Sequence, residues 1–310
     1  MTKYKHLVTL LTSSDLDGLK RLVYAIENDI IRAPSLETEF VIVVNTLDDT
    51  YYDKVLNENF PLRVVSTSSN GTAPVGKNSC HKLLLESDCD YLTQFDADDL
   101  FYPTVLLSLA EHLRRMPCLD VLGILPLDVL QAEELDCGHR FKANDSLWAS
   151  VWGVSLTSLG EARGVGRHKD LYEASGGLSS QDKHILYSRK ACEILMDETM
   201  LLAEDHLQSF KYLGEHQKGN LLYTQTLSSD MFIQDRSFPD SVQKTVSEFD
   251  YVSRLQEEVP KYVEEWRSSF GELPCLYIDL MMHQSEKEIW LQDFLKRFEN
   301  SENGSRLGEM

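Results

Sequence analysis

This sequence predicts an α/β fold built on a doubly wound, mostly parallel sheet flanked by helices, and three observations carry that expectation. Short apolar, β-prone runs alternate with helical segments as far as Leu125, the βαβα order of a parallel sheet. The run Phe40-Val41-Ile42-Val43-Val44 is apolar and β-branched without alternation, as a strand covered on both faces must be. Polar clusters follow the second and fourth strand-like runs directly, where open α/β sheets bind their ligands.

Leu7-Val8-Thr9-Leu10-Leu11 reads as the first strand. From Asp15 to Ile31 the residues Leu19, Leu22, Val23, Ile26 and Ile30 share one helical face, with Ser14 or Asp15 as cap. After the second strand, Asp49 to Leu56 reads as a short helix and Leu62-Arg63-Val64-Val65 as a third strand. Residues 75–87 read as a helix leading into the strand Tyr91-Leu92-Thr93-Gln94-Phe95. An amphipathic helix follows over 103–115, and Asp120 to Leu125 is another strand.

The pattern then changes. Residues 126–185 hold polar and glycine-bearing stretches around one strand candidate, Leu147-Trp148-Ala149-Ser150-Val151-Trp152. Helices are expected over 188–198 and 202–214, with a strand at Leu221-Leu222-Tyr223-Thr224. From Ser241 the chain reads as mainly helical, because Tyr251, Leu255, Val259, Tyr262 and Trp266 recur at roughly helical spacing. Residues 299–310 are polar and read as a frayed tail.

Composition narrows the classes of function. The chain has 310 residues, 42% of them hydrophobic, which suffices for one large domain or two modest ones. No apolar run approaches the length of a membrane span, and the start leads straight into a strand rather than a signal-peptide core. The six cysteines (Cys80, Cys89, Cys118, Cys137, Cys192 and Cys275) show no zinc-ligand spacing, so reduced thiols in a cytoplasmic setting are expected. With 50 acidic against 30 basic residues, the net charge of -20 repels nucleic-acid backbones and anionic lipid at long range. One basic loop interrupts this field: Arg163-Gly164-Val165-Gly166-Arg167-His168-Lys169. It fits either a phosphate or acceptor grip, through Arg163, Arg167 and Lys169, or an ordinary solvated loop.

Four segments carry the chemistry. The fourth strand ends in Asp96-Ala97-Asp98-Asp99, three carboxylates within four residues. Such crowding repels unless a cation or hydrogen-bonded ligand sits among the groups. Oxygen-only ligands suit Mg²⁺ or Mn²⁺ bridging to phosphates, although Asp98 or Asp99 also fits as a helix cap. After the second strand, Asn45-Thr46-Leu47-Asp48-Asp49-Thr50 offers groups for a nucleotide base, while Asp48 fits equally as a helix cap. Asn70-Gly71-Thr72-Ala73-Pro74-Val75-Gly76-Lys77-Asn78 enters a helix with backbone N–H groups and a lysine that suit a phosphate; a plain connecting loop is the other reading. Finally, Glu204-Asp205 opens a helix whose dipole stabilises both anions. An ionised carboxylate there can act as general base toward a hydroxyl, or simply satisfy free N–H groups. Any of His184, His206 and His216 can complete a metal shell or pack in the core, and Trp148 and Trp152 can stack an acceptor or fill the interior.

Taken in order over residues 6–215, these segments resemble a GT-A glycosyltransferase, a Rossmann-like fold, and are most similar to the inverting family-2 enzymes that use nucleotide sugars. The resemblance implies that Asp96 and Asp98 hold the donor's ribose and metal-bound diphosphate, supported by Asp99, with Asp98 and Asp96 as metal ligands for Mn²⁺ or Mg²⁺. It implies Asp205 as catalytic base, Glu204 as a group that orients the acceptor or that base, and Asp48 or Asp49 against the donor base, often uracil. Lys77 stands where arginine is common, and Asn45 where an acidic residue often begins the base-binding group. Expected partners are a nucleotide-sugar donor and a hydroxyl-bearing acceptor: a glycan, a lipid carrier, a protein or a modified nucleic-acid base. The expected organisation is a transferase domain over 1–235, divided into a nucleotide-binding half (1–125) and an acceptor half (126–235). A helical extension over 236–300, suited to shaping an acceptor site, covering the sheet or self-association, and a flexible tail over 301–310 would follow. Two rivals share the acidic sites. A nucleotidyltransferase would carry a basic glycine-rich loop after the first strand, where this chain reads Thr12-Ser13-Ser14-Asp15-Leu16-Asp17. A catalytically inactive sugar-nucleotide-binding module would keep the fold without the chemistry.

Overall fold

The computed structural model describes residues 4–67, 71–126, 129–130, 183–200, 204–228 and 231–235. The sequence expectations for Leu147–Trp152, the Arg163–Lys169 loop, the helical segment from Ser241 and the tail lie outside them. Among the described residues, no helix is long and apolar enough to cross a membrane.

The elements run β1 (Tyr4–Thr12), α1 (Leu16–Glu27), β2 (Leu36–Val44), α2 (Asp49–Asn57), β3 (Arg63–Ser66), α3 (Ala73–Glu86), β4 (Tyr91–Asp96), β5 (Leu100–Phe101), α4 (Val105–Arg115), β6 (Val121–Pro126), β7 (Val129–Leu130), β8 (Lys183–Ser188), α5 (Arg189–Cys192), α6 (Glu204–Gln217), β9 (Tyr223–Ser228) and β10 (Phe232–Asp235). Seven strands form one sheet in the order β3-β2-β1-β4-β8-β6-β9. The run β3-β2-β1-β4 is parallel, β8 is antiparallel to both its neighbours, and β9 pairs parallel with β6. A smaller sheet orders β5-β10-β7.

Alternation along the central strands divides the core in two. Val8 and Leu10 of β1, with Ile42 and Val44 of β2, face the layer of α1 and α4. Leu7 and Leu11, with Val41 and Val43, face α3, α5 and α6. Both faces are covered, which is why β2 reads as an unbroken apolar run. Helix α1 forms because Asp15 accepts a hydrogen bond from the Gly18 N–H at 2.8 Å, and Leu19, Leu22, Val23 and Ile26 bury one face. It stops at Glu27, short of the expected Ile31, because Asn28 caps it and Asp29 turns left-handed at φ 56.

A single side chain closes the far end of α3. The Arg189 guanidinium donates to the carbonyls of Leu84, Leu85, Ser87 and Cys89 at 2.8–3.0 Å. A cation at a helix C-terminus satisfies carbonyls that otherwise lack partners. The helix expected over 188–198 shortens to Arg189–Cys192. Asn78 takes both backbone groups of Met196, and the Asp197 carboxylate binds the Thr199 N–H, so that stretch cannot continue the helical ladder.

Two buried imidazoles make the core sensitive to acid. Burial pushes His6 and His81 down to about 3, and neither ring nitrogen of His81 meets a hydrogen-bond partner among the described residues. Both stay neutral in the folded state while the unfolded chain binds protons below about 6.5. Stability is therefore lost as pH falls from there toward 3, by up to about 1.4 kcal/mol per pH unit for each group. We expect denaturant titrations of His81→Phe to show a shallower acid limb than wild type between those limits; identical limbs would contradict the burial of a neutral ring.

Candidate active site

The carboxylates cluster at the C-terminal edge of the parallel strands. Strand β4 ends at Asp96, and the following turn is tied back to β1 by the Ala97 N–H, which donates to the Leu11 carbonyl at 2.9 Å. The Asp99 N–H closes the turn on the Asp96 carbonyl at 3.1 Å. Helix α1 passes so near that a Cβ on Gly18 would lie 2.0 Å from the Ala97 carbonyl oxygen. Only glycine allows that approach, so the start of α1 sets the position of the acidic turn.

Within the turn the carboxylates are unequal. The ammonium of Lys183, at the first position of β8, lies 2.7 Å from Asp96 Oδ2 and also bonds Asp99 Oδ2. Burial alone would lower Lys183, but the charges of Asp96 and Asp99 outweigh it and raise its pKa. Burial would likewise raise Asp96, yet Lys183 and Lys77 hold its carboxyl below the usual range. Asp98 stands apart. Burial, with the negative charges of Asp99 and Asp96, pushes it up to about 7.

The second acidic pair faces the same space. Glu204 and Asp205 occupy the first turn of α6, and Lys77 on α3 donates to Glu204 Oε1 at 2.9 Å. Burial would lower the Lys77 amine; the charges of Glu204, Asp205 and Asp96 together raise it instead. One ammonium thus lies within electrostatic reach of carboxylates from β4 and α6 at once, so the two acidic segments lie near each other. Asn78, one residue on, clamps Met196 and the Glu198 carboxylate, fixing the approach to α6.

Six residues singled out in the sequence therefore converge: Lys77, Asp96, Asp98, Asp99, Glu204 and Asp205. Others take different places. Asp48 is exposed and caps α2, accepting from the Thr50 N–H at 2.9 Å and hydroxyl at 2.6 Å, and the hydroxyl bond holds its carboxyl below the usual range. Asp49 is exposed on the first turn of α2. Asn45 is buried and braces the entry to α3, donating to the Thr72 carbonyl at 2.9 Å, with Gly76 bare to admit it. His184 lies in the core, 3.1 Å from Ser209 Oγ and edge-on to Tyr187, Tyr212 and Tyr223. His216 Nδ1 sits 3.1 Å from the Leu221 carbonyl, while the side chain of His206, like Arg163, Arg167 and Lys169, lies outside the described residues. Sequence reasoning missed Lys183 and Gly18. A lysine at the head of the apolar run Lys183–Tyr187 was the available signal, but nothing local says which acids it meets.

The all-oxygen donor set of the acidic turn fits Mg²⁺ or Mn²⁺, and the crowding that raises Asp98 is what a divalent ion relieves. Among the described residues, no three of His, Cys, Asp and Glu form a ready-made metal cage.

This architecture is that of known GT-A-like glycosyltransferases. The structure of S. aureus TarS 1-349 in complex with UDP-GlcNAc matches with a TM-score of 0.54 at 17% identity, covering 91% of this chain and 71% of that one. A further structure of S. aureus TarS 1-349 matches at 0.51 and 17% identity, covering 95% of this chain and 80% of that one. The mannosyltransferase PcManGT from Pyrobaculum calidifontis, in complex with GDP-Man and Mn2+, matches at 0.53 and 10% identity, covering 99% and 77%. The sequence matches no family model and no curated protein. The chain has the GT-A-like fold that these transferases share.

Because Gly18 touches the acidic turn, we expect Gly18→Ala to lower stability by about 1–3 kcal/mol in urea unfolding. Unchanged stability would mean that α1 and the turn can separate freely.

Proposed function

We propose that this protein is a glycosyltransferase that moves a sugar from a nucleotide-sugar donor to an acceptor hydroxyl, inverting the anomeric centre. The observation that carries the reading is the Lys77 ammonium, bonded to Glu204 and held by the charges of Asp205 and Asp96 across one cleft. Donor and acceptor must meet between a diphosphate-holding group and a base, and the nearness of the two acidic segments supports assigning them those roles.

The residues take distinct roles. Asp96 and Asp98 face the donor's ribose and diphosphate, Asp99 steadies them, and Lys77 adds positive charge on the α3 side. A divalent ion at Asp98 and Asp96 would offset the charge that develops on the departing nucleoside diphosphate. Asp205 accepts the acceptor's hydroxyl proton, and Glu204, tethered to Lys77, keeps the base aligned. The acceptor oxygen then forms a bond to the anomeric carbon from the face opposite the diphosphate. The bond between that carbon and the phosphate oxygen breaks, its electron pair leaving with the nucleotide, and a single displacement inverts configuration.

The donor base is assigned to the end of β2, beside Asp48, Asp49 and Leu47, whose side chain is 71% exposed. The solved relatives hold UDP-GlcNAc and GDP-Man, so both sugar nucleotides are the donors to test first.

Two variants separate the roles. With Mn²⁺ and a donor panel, Asp205→Asn is expected to lower turnover by roughly 10²- to 10⁴-fold while nucleotide affinity stays near wild type. Asp98→Asn is expected to weaken Mn²⁺-dependent nucleotide binding in calorimetry by at least about tenfold. Undiminished transfer by Asp205→Asn would sink the base assignment, and unchanged Mn²⁺–nucleotide affinity in Asp98→Asn would remove the metal role.

A further inference from the structure

The cleft carries a cation of its own. Five carboxylates, those of Asp96, Asp98, Asp99, Glu204 and Asp205, meet two ammonium groups, Lys77 and Lys183. Lys77 serves the α6 side through Glu204. Lys183 serves the acidic turn, bridging its first and last carboxylates and skipping the middle one.

Strand pairing sets its place. Strand β8 runs antiparallel between β4 and β6, and Lys183 itself pairs with Ile124 of β6. The ammonium lies 5.5 Å from the centre of the Phe101 ring, which is fully buried and stacked on Phe95 at 4.1 Å. An aromatic floor of low polarity strengthens the ion pairs above it.

We propose that Lys183 is the resident counter-ion of the acidic turn: a positioning residue that fixes Asp96 and Asp99, leaves Asp98 to a divalent ion, and adds its own charge beside the donor's diphosphate. The inference deepens the glycosyltransferase reading and rests on it for the identity of the phosphate ligand. Its physical content is a competition. A nucleoside diphosphate is anionic, and bare carboxylates repel it; an ammonium among them lowers that repulsion before any ion arrives. The same ammonium also repels the incoming divalent ion.

A residue that merely braced the turn would, on removal, let the carboxylates drift and weaken ion binding. A counter-ion predicts the opposite sign. In Lys183→Gln, Mn²⁺ alone, followed by the loss of its free-ion paramagnetic resonance signal, should bind roughly tenfold tighter than in wild type. In the same variant, UDP or GDP without divalent ion should bind at least about tenfold more weakly in calorimetry. Lys183→Arg, which keeps the charge, should stay near wild type in both measurements. Circular dichroism melting checks that each variant is folded, and Lys183→Met repeats the test should Lys183→Gln fail to fold.

Weaker or unchanged Mn²⁺ binding in folded Lys183→Gln overturns the proposal. So does ion-free nucleotide binding that the substitution leaves intact. Failure of the wild type to bind any nucleotide, with or without Mn²⁺, would instead overturn the function proposed for the cleft, and the Mn²⁺ measurement alone would then decide the role of Lys183.

Discussion

Two half-buried ammonium groups tie the acidic segments together. Lys77 reaches from α3 to Glu204 on α6, and Lys183 reaches from β8 to Asp96 and Asp99 at the end of β4. Without them, five carboxylates would face one another across a partly desolvated space, and their mutual repulsion would open it. Each lysine thus joins segments far apart in the chain, and the ion pairs set the geometry that any ligand meets.

The scaffold is arranged around those contacts. Parallel strands β1 and β4 run in register, so the turn after Asp96 rests on the Leu11 carbonyl. Gly18 lets α1 close on that turn from one side, and Asn45 with Gly76 anchors the start of α3 on the other. Asn78 and Arg189 then bind α3 to the segment leading toward α6. Polar contacts to side chains and backbone distant in the chain fix the position of the acidic groups. That is the condition for a site whose charges cannot relax away from one another.

The same reading explains why Asp98 differs from its neighbours. Asp96 and Asp99 share the Lys183 ammonium, while Asp98 has burial and two negative neighbours acting on it. A carboxyl in that setting gains most from a divalent ion, and the all-oxygen surroundings suit a hard one. The cluster sits at the C-terminal ends of parallel strands, the edge at which open α/β sheets bind ligands.

Much of the architecture was legible in the residues alone. Periodicity and capping are local, so β2 was readable from Phe40–Val44, α1 from its apolar face, and the acidic turn from the strand that ends in it. The convergence of Asp96, Asp98 and Asp99 with Lys77, Glu204 and Asp205 was also an expectation of the sequence, through the order of its motifs. Local rules failed where a distant side chain claimed backbone or charge. Asn78 broke the helix expected beyond Cys192 by taking both backbone groups of Met196, and Lys183 took the carboxylates of Asp96 and Asp99. The sequence by itself determined that a strand would end in crowded carboxylates needing a cation. Only the tertiary structure decided that Lys183, 87 residues from Asp96, would be one, because strand pairing across β8 and not sequence spacing brings that ammonium to the turn.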